Sequence, residues 1–130
     1  MSAEIAVDID SINQPHWDAL KQGKLVYQSC PCGHAWLPPS RHCPRCLGLD
    51  WKWEQASGQA AVVSWVVYHV AYHPEFKDKL PYNVAIVRLQ EGPQMITNIV
   101  GNTDGLAVGA HVRLQIDLQR EQPLATFCLA

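Results

Sequence analysis

The sequence predicts a mainly β protein, in which a short N-terminal helix and a cysteine-containing ribbon precede a five-stranded barrel. Two close cysteine pairs, Cys30 with Cys32 and Cys43 with Cys46, define the ribbon. After them, stretches rich in β-branched and aromatic residues are separated by turn residues, which is typical of successive strands. The first of these stretches, from Gly58 to Tyr72, shows no helical period.

Length and composition are those of one compact domain, or of a small module joined to one, because 130 residues lie within the usual size of a single core. A hydrophobic share of 48% with five tryptophans is ample for such a core. The formal net charge of −2 and the pI near 6.3 give no electrostatic reason to expect a general binder of nucleic acid or of membrane surfaces.

The sequence predicts a soluble, cytoplasmic protein. No apolar run approaches the roughly 18 to 20 residues that a membrane-spanning helix needs, and Met1-Ser2-Ala3-Glu4 lacks the features of a signal peptide. Disulfides are rare in a reducing cytoplasm, so the four clustered cysteines are better interpreted as metal ligands, with Cys128 left over.

Residues 1–23 form an N-terminal tail followed by a helix. Ser11 or Asn13 could cap this helix, Pro15 suits its first turn and Gly23 would end it. One side of the helix carries Ile12, His16, Trp17 and Leu20. Two roles remain open for this side, which either packs on the protein's own body or docks on a partner.

Residues 24–54 form the ribbon. Short strands are predicted before and after the first cysteine pair, and Pro38-Pro39 forces an extended path towards the second pair. The second pair is followed by Gly48, which we expect to allow a backbone bend. Trp51 and Trp53 alternate as in a strand and are expected to pack the ribbon against the next module.

Four thiolates from two close pairs are the usual ligands of a structural zinc ion, so the predicted ligands are Cys30, Cys32, Cys43 and Cys46. Two alternatives remain open: His34 or His42 replaces one cysteine, or the ribbon holds no metal. A catalytic zinc is disfavoured because four thiolates close the coordination shell. A redox dithiol is disfavoured because the βαβ pattern that usually accompanies it is absent.

Residues 55–130 form the barrel. Its first strand, from Gly58 to Tyr72, is long enough that we expect it to bend and serve two sides of the barrel. The remaining strands are predicted over 81–90, 94–100, 112–118 and 124–129, with a turn or short helix over 101–109. Five strands in this order indicate a small OB-type barrel, and a β-sandwich is the alternative.

The chain resembles the DUF35 family, whose members join a rubredoxin-like zinc ribbon to an OB-fold barrel. The resemblance runs from about Trp17 to the C-terminus. In one respect the chain departs from the family pattern, because one residue rather than two separates the first cysteines. The landmarks that carry the resemblance are Tyr27-Gln28-Ser29-Cys30, Cys32-Gly33, Pro38-Pro39, Cys43-Pro44-Arg45-Cys46, Ser57-Gly58, Pro74-Glu75-Phe76, Leu80-Pro81-Tyr82, Val87-Arg88-Leu89, Glu91-Gly92 and Gly109.

The resemblance implies a small partner subunit of a thiolase-like enzyme that cleaves acyl-CoA or steroid side-chain CoA thioesters, or of a MaoC-like hydratase. The sequence shows no Ser/His/Asp or Cys/His arrangement and no phosphate-binding loop, so no catalytic residue is assigned. Such a subunit would act by completing its partner's CoA site. The basic residues that could meet the CoA phosphates are Arg41, Arg45, Lys77 and Lys79.

A second hypothesis makes the chain a single-stranded nucleic-acid binding module, because OB barrels often hold single strands on stacking aromatics. The near-balanced charge favours the first hypothesis, with ten basic and twelve acidic residues. The aromatics that could stack bases, but are expected to pack in the core and between modules, are Trp36, Trp51, Trp53, Trp65 and Tyr68.

Overall fold

A computed structural model describes residues 10–68, 82–119 and 123–130. Within these ranges the order of elements agrees with the predicted helix, ribbon and barrel. The elements are α1 (Gln14–Lys21), β1 (Val26–Ser29), β2 (Ala35–Trp36), β3 (Lys52–Gln55), β4 (Gln59–Tyr68), β5 (Tyr82–Leu89), β6 (Gln94–Thr97), β7 (His111–Asp117) and β8 (Leu124–Leu129).

Helix α1 begins after Asn13, with a proline in its first turn as expected. The Asn13 side chain does not cap the helix; its Oδ1 accepts the backbone N–H of Asp10 at 2.8 Å. At the other end, Gly23 adopts a φ of 79° and its N–H donates to the carbonyl of Leu20. Leu20 is buried and Trp17 packs against the core, so the apolar side of α1 faces the protein's own body.

The ribbon is a three-stranded antiparallel sheet in the order β2-β1-β3. Its central strand places Gln28 opposite Trp36 on one side and opposite Trp53 on the other. The cysteine pairs lie in the connections that leave this sheet, one between β1 and β2 and the other between β2 and β3.

The second sheet has five strands in the order β6-β5-β4-β7-β8. Its central strand β4 pairs with β5 along most of its length and with β7 only over Gln59–Ala61. The pairing with β5 shifts register between Val62 and Ser64, which marks a bulge. Bulges bend strands, so the expectation that the first barrel strand serves two sides is confirmed.

The sheet closes on itself where the chain after β6 meets β8. Ile99 forms a parallel bridge with Phe127, and the N–H of Val100 donates to the Phe127 carbonyl at 2.8 Å. The first barrel strand, β4, thus pairs with the second, β5, and the fourth, β7. The chain after the third strand, β6, meets the fifth, β8, and this is the Greek-key closure of an OB barrel. The alternative of an open β-sandwich is wrong.

Helix, ribbon and barrel share one hydrophobic core. Leu20 of α1 and Leu25 and Tyr27 at the start of the ribbon belong to the same buried cluster as the barrel residues Val112 and Phe127. Ala35 and Leu37, in and after β2, also pack against this core. Cys30, Cys43 and Trp36 form a second, separate cluster.

Several boundaries differ from the sequence-based expectations. Strand β6 ends at Thr97 rather than at residue 100, whereas the segment 101–109 contains turns, one of the two predicted possibilities. Leu118, expected at the end of β7, follows the strand and is exposed. Residues 73–79, between the first two predicted barrel strands, and the end of the first strand at 69–72 lie outside the described residues. In the part of the chain that is described, no helix has the length and apolarity to cross a membrane.

Candidate metal centre

The second cysteine pair forms a compact turn around its own sulfur atoms. The N–H of Arg45 points at Cys43 Sγ and the N–H of Gly48 at Cys46 Sγ, each at 3.4 Å. The N–H of Leu47 donates to the Cys43 carbonyl at 2.8 Å, which closes the turn. Backbone donors aimed at sulfur favour the thiolate form that binds metal.

The backbone bend in this turn is at Leu47, which adopts a φ of 61°, and not at Gly48 as the sequence suggested. Gly48 is needed for a different reason. A Cβ atom at this position would lie 3.2 Å from Cys46 Sγ. Gly48 therefore leaves room for the sulfur atom.

The first pair turns more tightly, because Pro31 alone separates its cysteines. The N–H of Gly33 donates to the Cys30 carbonyl, and the N–H of Cys30 to the His34 carbonyl, both at 2.9 Å. Gly33 has a φ of 95°, a conformation that glycine adopts without strain. This hairpin brings the sulfur atoms of the first pair close to those of the second pair, although only one residue separates Cys30 from Cys32.

The sulfur atoms of Cys30, Cys32, Cys43 and Cys46 all lie within 4.8 Å of one another. Cys30 Sγ is 3.5 Å from Cys46 Sγ, and Cys32 Sγ is 3.7 Å from Cys43 Sγ. A tetrahedral zinc site with Zn–S bonds of about 2.3 Å separates its sulfurs by roughly 3.8 Å. The four residues therefore fit a structural zinc ion, and the predicted ligand set is brought together.

The histidines considered as alternative ligands are not part of this cluster. The ring of His34 stacks on the indole of Trp36, with the centroids 5.7 Å apart. His42 is exposed on the surface. The metal-binding group found among the described residues consists of the four cysteines.

The surroundings give Cys43 and Cys30 unequal acidity. Desolvation raises the pKa of Cys43, but the backbone N–H groups of Cys46 and Arg45 and the neighbouring thiols outweigh it and lower this pKa to about 7. The N–H of Cys32 lowers the pKa of Cys30, but desolvation and hydrogen bonds with the other thiols raise it overall to about 12. Cys43 thus offers a thiolate to an incoming metal more readily than Cys30 does.

Aromatic side chains support the cluster from one side. Trp36 is buried with Cys30 and Cys43, and Trp51 packs edge-on against Trp36 at 6.2 Å between ring centroids. The indole N–H of Trp51 donates to the Arg41 carbonyl at 2.7 Å. Trp51 therefore stabilises the ribbon from within, rather than joining it to the barrel as expected.

The candidate CoA-contacting residues divide into two groups. Arg41 and Arg45 are exposed on the loop that carries the second cysteine pair. Lys77 and Lys79 lie outside the described residues.

Cys128 belongs to another part of the molecule. It lies on β8, is partly buried, and accepts a hydrogen bond from Arg113 Nε at 3.4 Å. Both residues line an open cavity of about 400 Å³ beside the turn that follows β6. Cys128 is therefore neither part of the metal cluster nor fully buried in the core.

Two family models match consecutive segments of the chain. Residues 17–52 match the ChsH2 rubredoxin-like zinc ribbon domain, and residues 53–117 match the ChsH2 C-terminal OB-fold domain. Among solved structures, one named "Ltp2-ChsH2(DUF35) aldolase" is 35% identical with a TM-score of 0.81, over 95% of this chain and 98% of that chain. A DUF35 protein of unknown function from Sulfolobus solfataricus shares the fold at 17% identity and a TM-score of 0.67, over 92% of this chain and 86% of that one.

Two proteins of similar sequence point to the same family. A "DUF35 domain-containing scaffold protein" from Methanothermobacter thermautotrophicus is 34% identical over 94 residues, which is 70% of this chain and 69% of the relative. A "Probable enoyl-CoA hydratase alpha subunit" from Thermomonospora curvata is 40% identical over 100 residues. That match covers 75% of this chain but only 31% of the relative's length. The protein belongs to the ChsH2-type DUF35 family, in which a rubredoxin-like zinc ribbon precedes an OB-fold domain.

Proposed function

We propose that this chain is a noncatalytic, acyl-CoA-binding accessory subunit that docks on a thiolase-like enzyme and completes its CoA site. The observation that carries the proposal is the likeness to the structure named as an Ltp2–ChsH2(DUF35) aldolase, which extends over 95% of this chain and 98% of that chain. A likeness that extends over nearly all of both chains supports a comparable role for both. The proposed place of action is the cytoplasm.

The ribbon's chemistry agrees with a supporting role. Four thiolates fill the shell of a tetrahedral ion and leave no position for a water or substrate. The ion would hold the two cysteine turns in place, and the Trp36–Trp51 contact would brace them. Chemistry on the thioester is therefore assigned to the partner.

The four tryptophans that could have stacked bases have packing partners within the chain. Trp36 and Trp51 pack in the ribbon, Trp53 contacts Trp51 edge-on, and Trp65 packs against the main core. Nucleic-acid binding is therefore the weaker proposal.

The proposed CoA contacts are made by cations. Arg41 and Arg45 are exposed on the ribbon, and Lys77 and Lys79 are the other candidates. The name of the Thermomonospora relative connects this family with an enoyl-CoA hydratase. A MaoC-like hydratase subunit is accordingly the second candidate partner, with the same CoA chemistry.

The proposal is tested by co-expression with the thiolase-like and MaoC-like proteins encoded near this chain, followed by size-exclusion chromatography and a CoA-thioester cleavage assay. We expect a complex, and activity that depends on this chain. Replacing Arg41, Arg45, Lys77 and Lys79 together by alanine should raise the KM for the thioester. The exposed Arg88 on β5, replaced by alanine, is the matched control.

Two results would contradict the proposal. One is failure to bind any of these enzymes together with tight binding of single-stranded DNA or RNA, which would favour the nucleic-acid hypothesis. The other is an unchanged KM in the fourfold variant, which would remove the assignment of the CoA contacts.

A further inference from the structure

The turn that follows the second cysteine pair holds a leucine in a conformation that suits glycine. Leu47 has a φ of 61°, and 71% of its surface is exposed. A left-handed conformation disfavours the folding of an L-residue by roughly five- to thirtyfold, whereas glycine adopts it freely. The backbone cannot relax this strain, because the Leu47 N–H is bonded to the Cys43 carbonyl. A bulky apolar side chain is thus held in solvent at a cost to folding.

A second leucine and two cations lie on the same short loop. Leu49 is 58% exposed, and Arg41 and Arg45 are exposed as well. The loop is compact, because the N–H of Cys43 donates to the Gly48 carbonyl and Trp51 is bonded to the Arg41 carbonyl. We call Arg41, Arg45, Leu47 and Leu49 the knuckle surface.

The arginines of this surface form no salt bridge with a carboxylate in the described part of the chain. The ion pair found there joins Lys52 to Glu54, and neither arginine of the knuckle surface takes part in one. Asp50 is the carboxylate next to this surface along the chain, and it is exposed. The knuckle surface therefore presents two apolar side chains beside two arginines that have no salt-bridge partner among the described residues.

We propose that the knuckle surface is the anchor by which this chain docks on its partner enzyme, with Leu47 and Leu49 entering an apolar pocket that is edged by the partner's carboxylates. Arg41 and Arg45 are also proposed CoA contacts; in the CoA-free complex, charge complementarity with them selects an anionic edge, and desolvated leucines supply the affinity. This inference rests on the proposed function, because it needs a partner enzyme.

Leu47→Gly separates docking from folding. Glycine suits the left-handed turn, so the midpoint of thermal unfolding should not fall and zinc content should stay the same. The dissociation constant for the purified thiolase-like subunit encoded near this chain should rise about tenfold or more, measured by calorimetry without CoA. Arg45→Glu should weaken the same CoA-free complex. Leu118→Ala, which truncates an exposed leucine on the barrel, should leave the affinity unchanged.

The outcomes distinguish this inference from the function on which it rests. Equal binding by the original chain and by Leu47→Gly would overturn the knuckle anchor and leave the accessory-subunit proposal standing. A lower thermal midpoint in Leu47→Gly would show that the leucine packs within its own chain, and would also overturn it. Absence of binding by the original chain would overturn both proposals together.

Discussion

The side-chain amide of Gln28 forms two hydrogen bonds with the backbone of Ser40, as a neighbouring strand would. Its Nε2 donates to the Ser40 carbonyl at 2.7 Å, and its Oε1 accepts the Ser40 N–H at 2.8 Å. Gln28 lies on β1 and is fully buried. It thereby ties the segment between the two cysteine pairs to the central strand of the ribbon, and holds both pairs at a fixed separation.

Gln28→Leu should destabilise the protein through this segment. The substitution leaves the N–H and carbonyl of Ser40 without partners in a partly buried position, at about 1–3 kcal/mol for each group. We expect a loss of about 2–4 kcal/mol in the free energy of unfolding of the zinc-loaded protein, measured by urea denaturation. Gln94→Leu on β6, where the glutamine is exposed, should change it by no more than about 0.5 kcal/mol. Equal losses in the two variants would contradict this role of Gln28.

The order of elements was predictable because each strand carries its own local pattern. Alternation along His111–Asp117 and the turn residues between strands suffice to count the barrel strands. Contacts between distant residues leave no such pattern. Gln28 bonds a residue 12 positions away, and Asn83 bonds both backbone groups of Ile99, 16 positions away. Neither partner could be identified from residue type alone.

The metal site shows the same limit at shorter range. The two cysteine pairs were recognisable from their spacing, and the structure brings their sulfurs together. It was not recognisable from the sequence that Leu47 adopts the positive φ while Gly48 leaves room for the sulfur atom. The position of a positive φ depends on the hydrogen bonds of the folded turn. The signal that could have indicated it is a leucine directly after Cys46, where a turn usually favours glycine.

Gly48→Ala should weaken zinc binding. The added methyl group would meet Cys46 Sγ at 3.2 Å, so the sulfur or the turn must move by a few tenths of an ångström. We expect a zinc affinity about tenfold lower, which corresponds to roughly 1.4 kcal/mol and lies within the usual cost of overpacking. Competition with a chromophoric chelator measures it.

Gly23→Ala provides the contrast for that experiment. Gly23 has a φ of 79°, and no atom lies within 4 Å of an added Cβ. The change should therefore lower folding stability by about 1 kcal/mol through backbone strain and leave zinc affinity unaltered. If Gly48→Ala behaved in the same way, the contact with Cys46 Sγ would not matter to the metal.

His16 should make the protein less stable in mild acid. Burial lowers the pKa of His16 below its usual 6.5, against a smaller raising effect of a hydrogen bond with the Val26 backbone. Its Nδ1 is buried and has no partner among the described residues. The unfolded chain binds the proton more readily, so this contribution is present above pH 6.5 and is lost as the pH falls, by at most about 1.4 kcal/mol per pH unit.

The measurement is urea denaturation between pH 7.5 and 5.5 with zinc in excess. His16→Leu should show a weaker fall in stability than the original chain over this interval, because its residue 16 does not titrate. His111→Gln, at an exposed position of β7, serves as the control and should keep the full dependence. A slope that is the same in His16→Leu and in the original chain would show that His16 is not the group responsible.

Zinc affinity should depend more steeply on pH below about 7 than above it. Zinc binds thiolates, so each ligand that is protonated in the metal-free protein must release its proton. Backbone N–H groups and neighbouring thiols hold the pKa of Cys43 at about 7 against desolvation, so this residue is already a thiolate at higher pH. Below that value one further proton is displaced, and the slope of log K against pH should increase by about one.

Chelator competition from pH 6 to 8 gives this slope, and Cys128→Ser, which alters a cysteine outside the cluster, should show the same break. A constant slope through pH 7 would mean that Cys43 does not titrate there, and that the N–H groups of Arg45 and Cys46 do not stabilise its thiolate before the metal arrives.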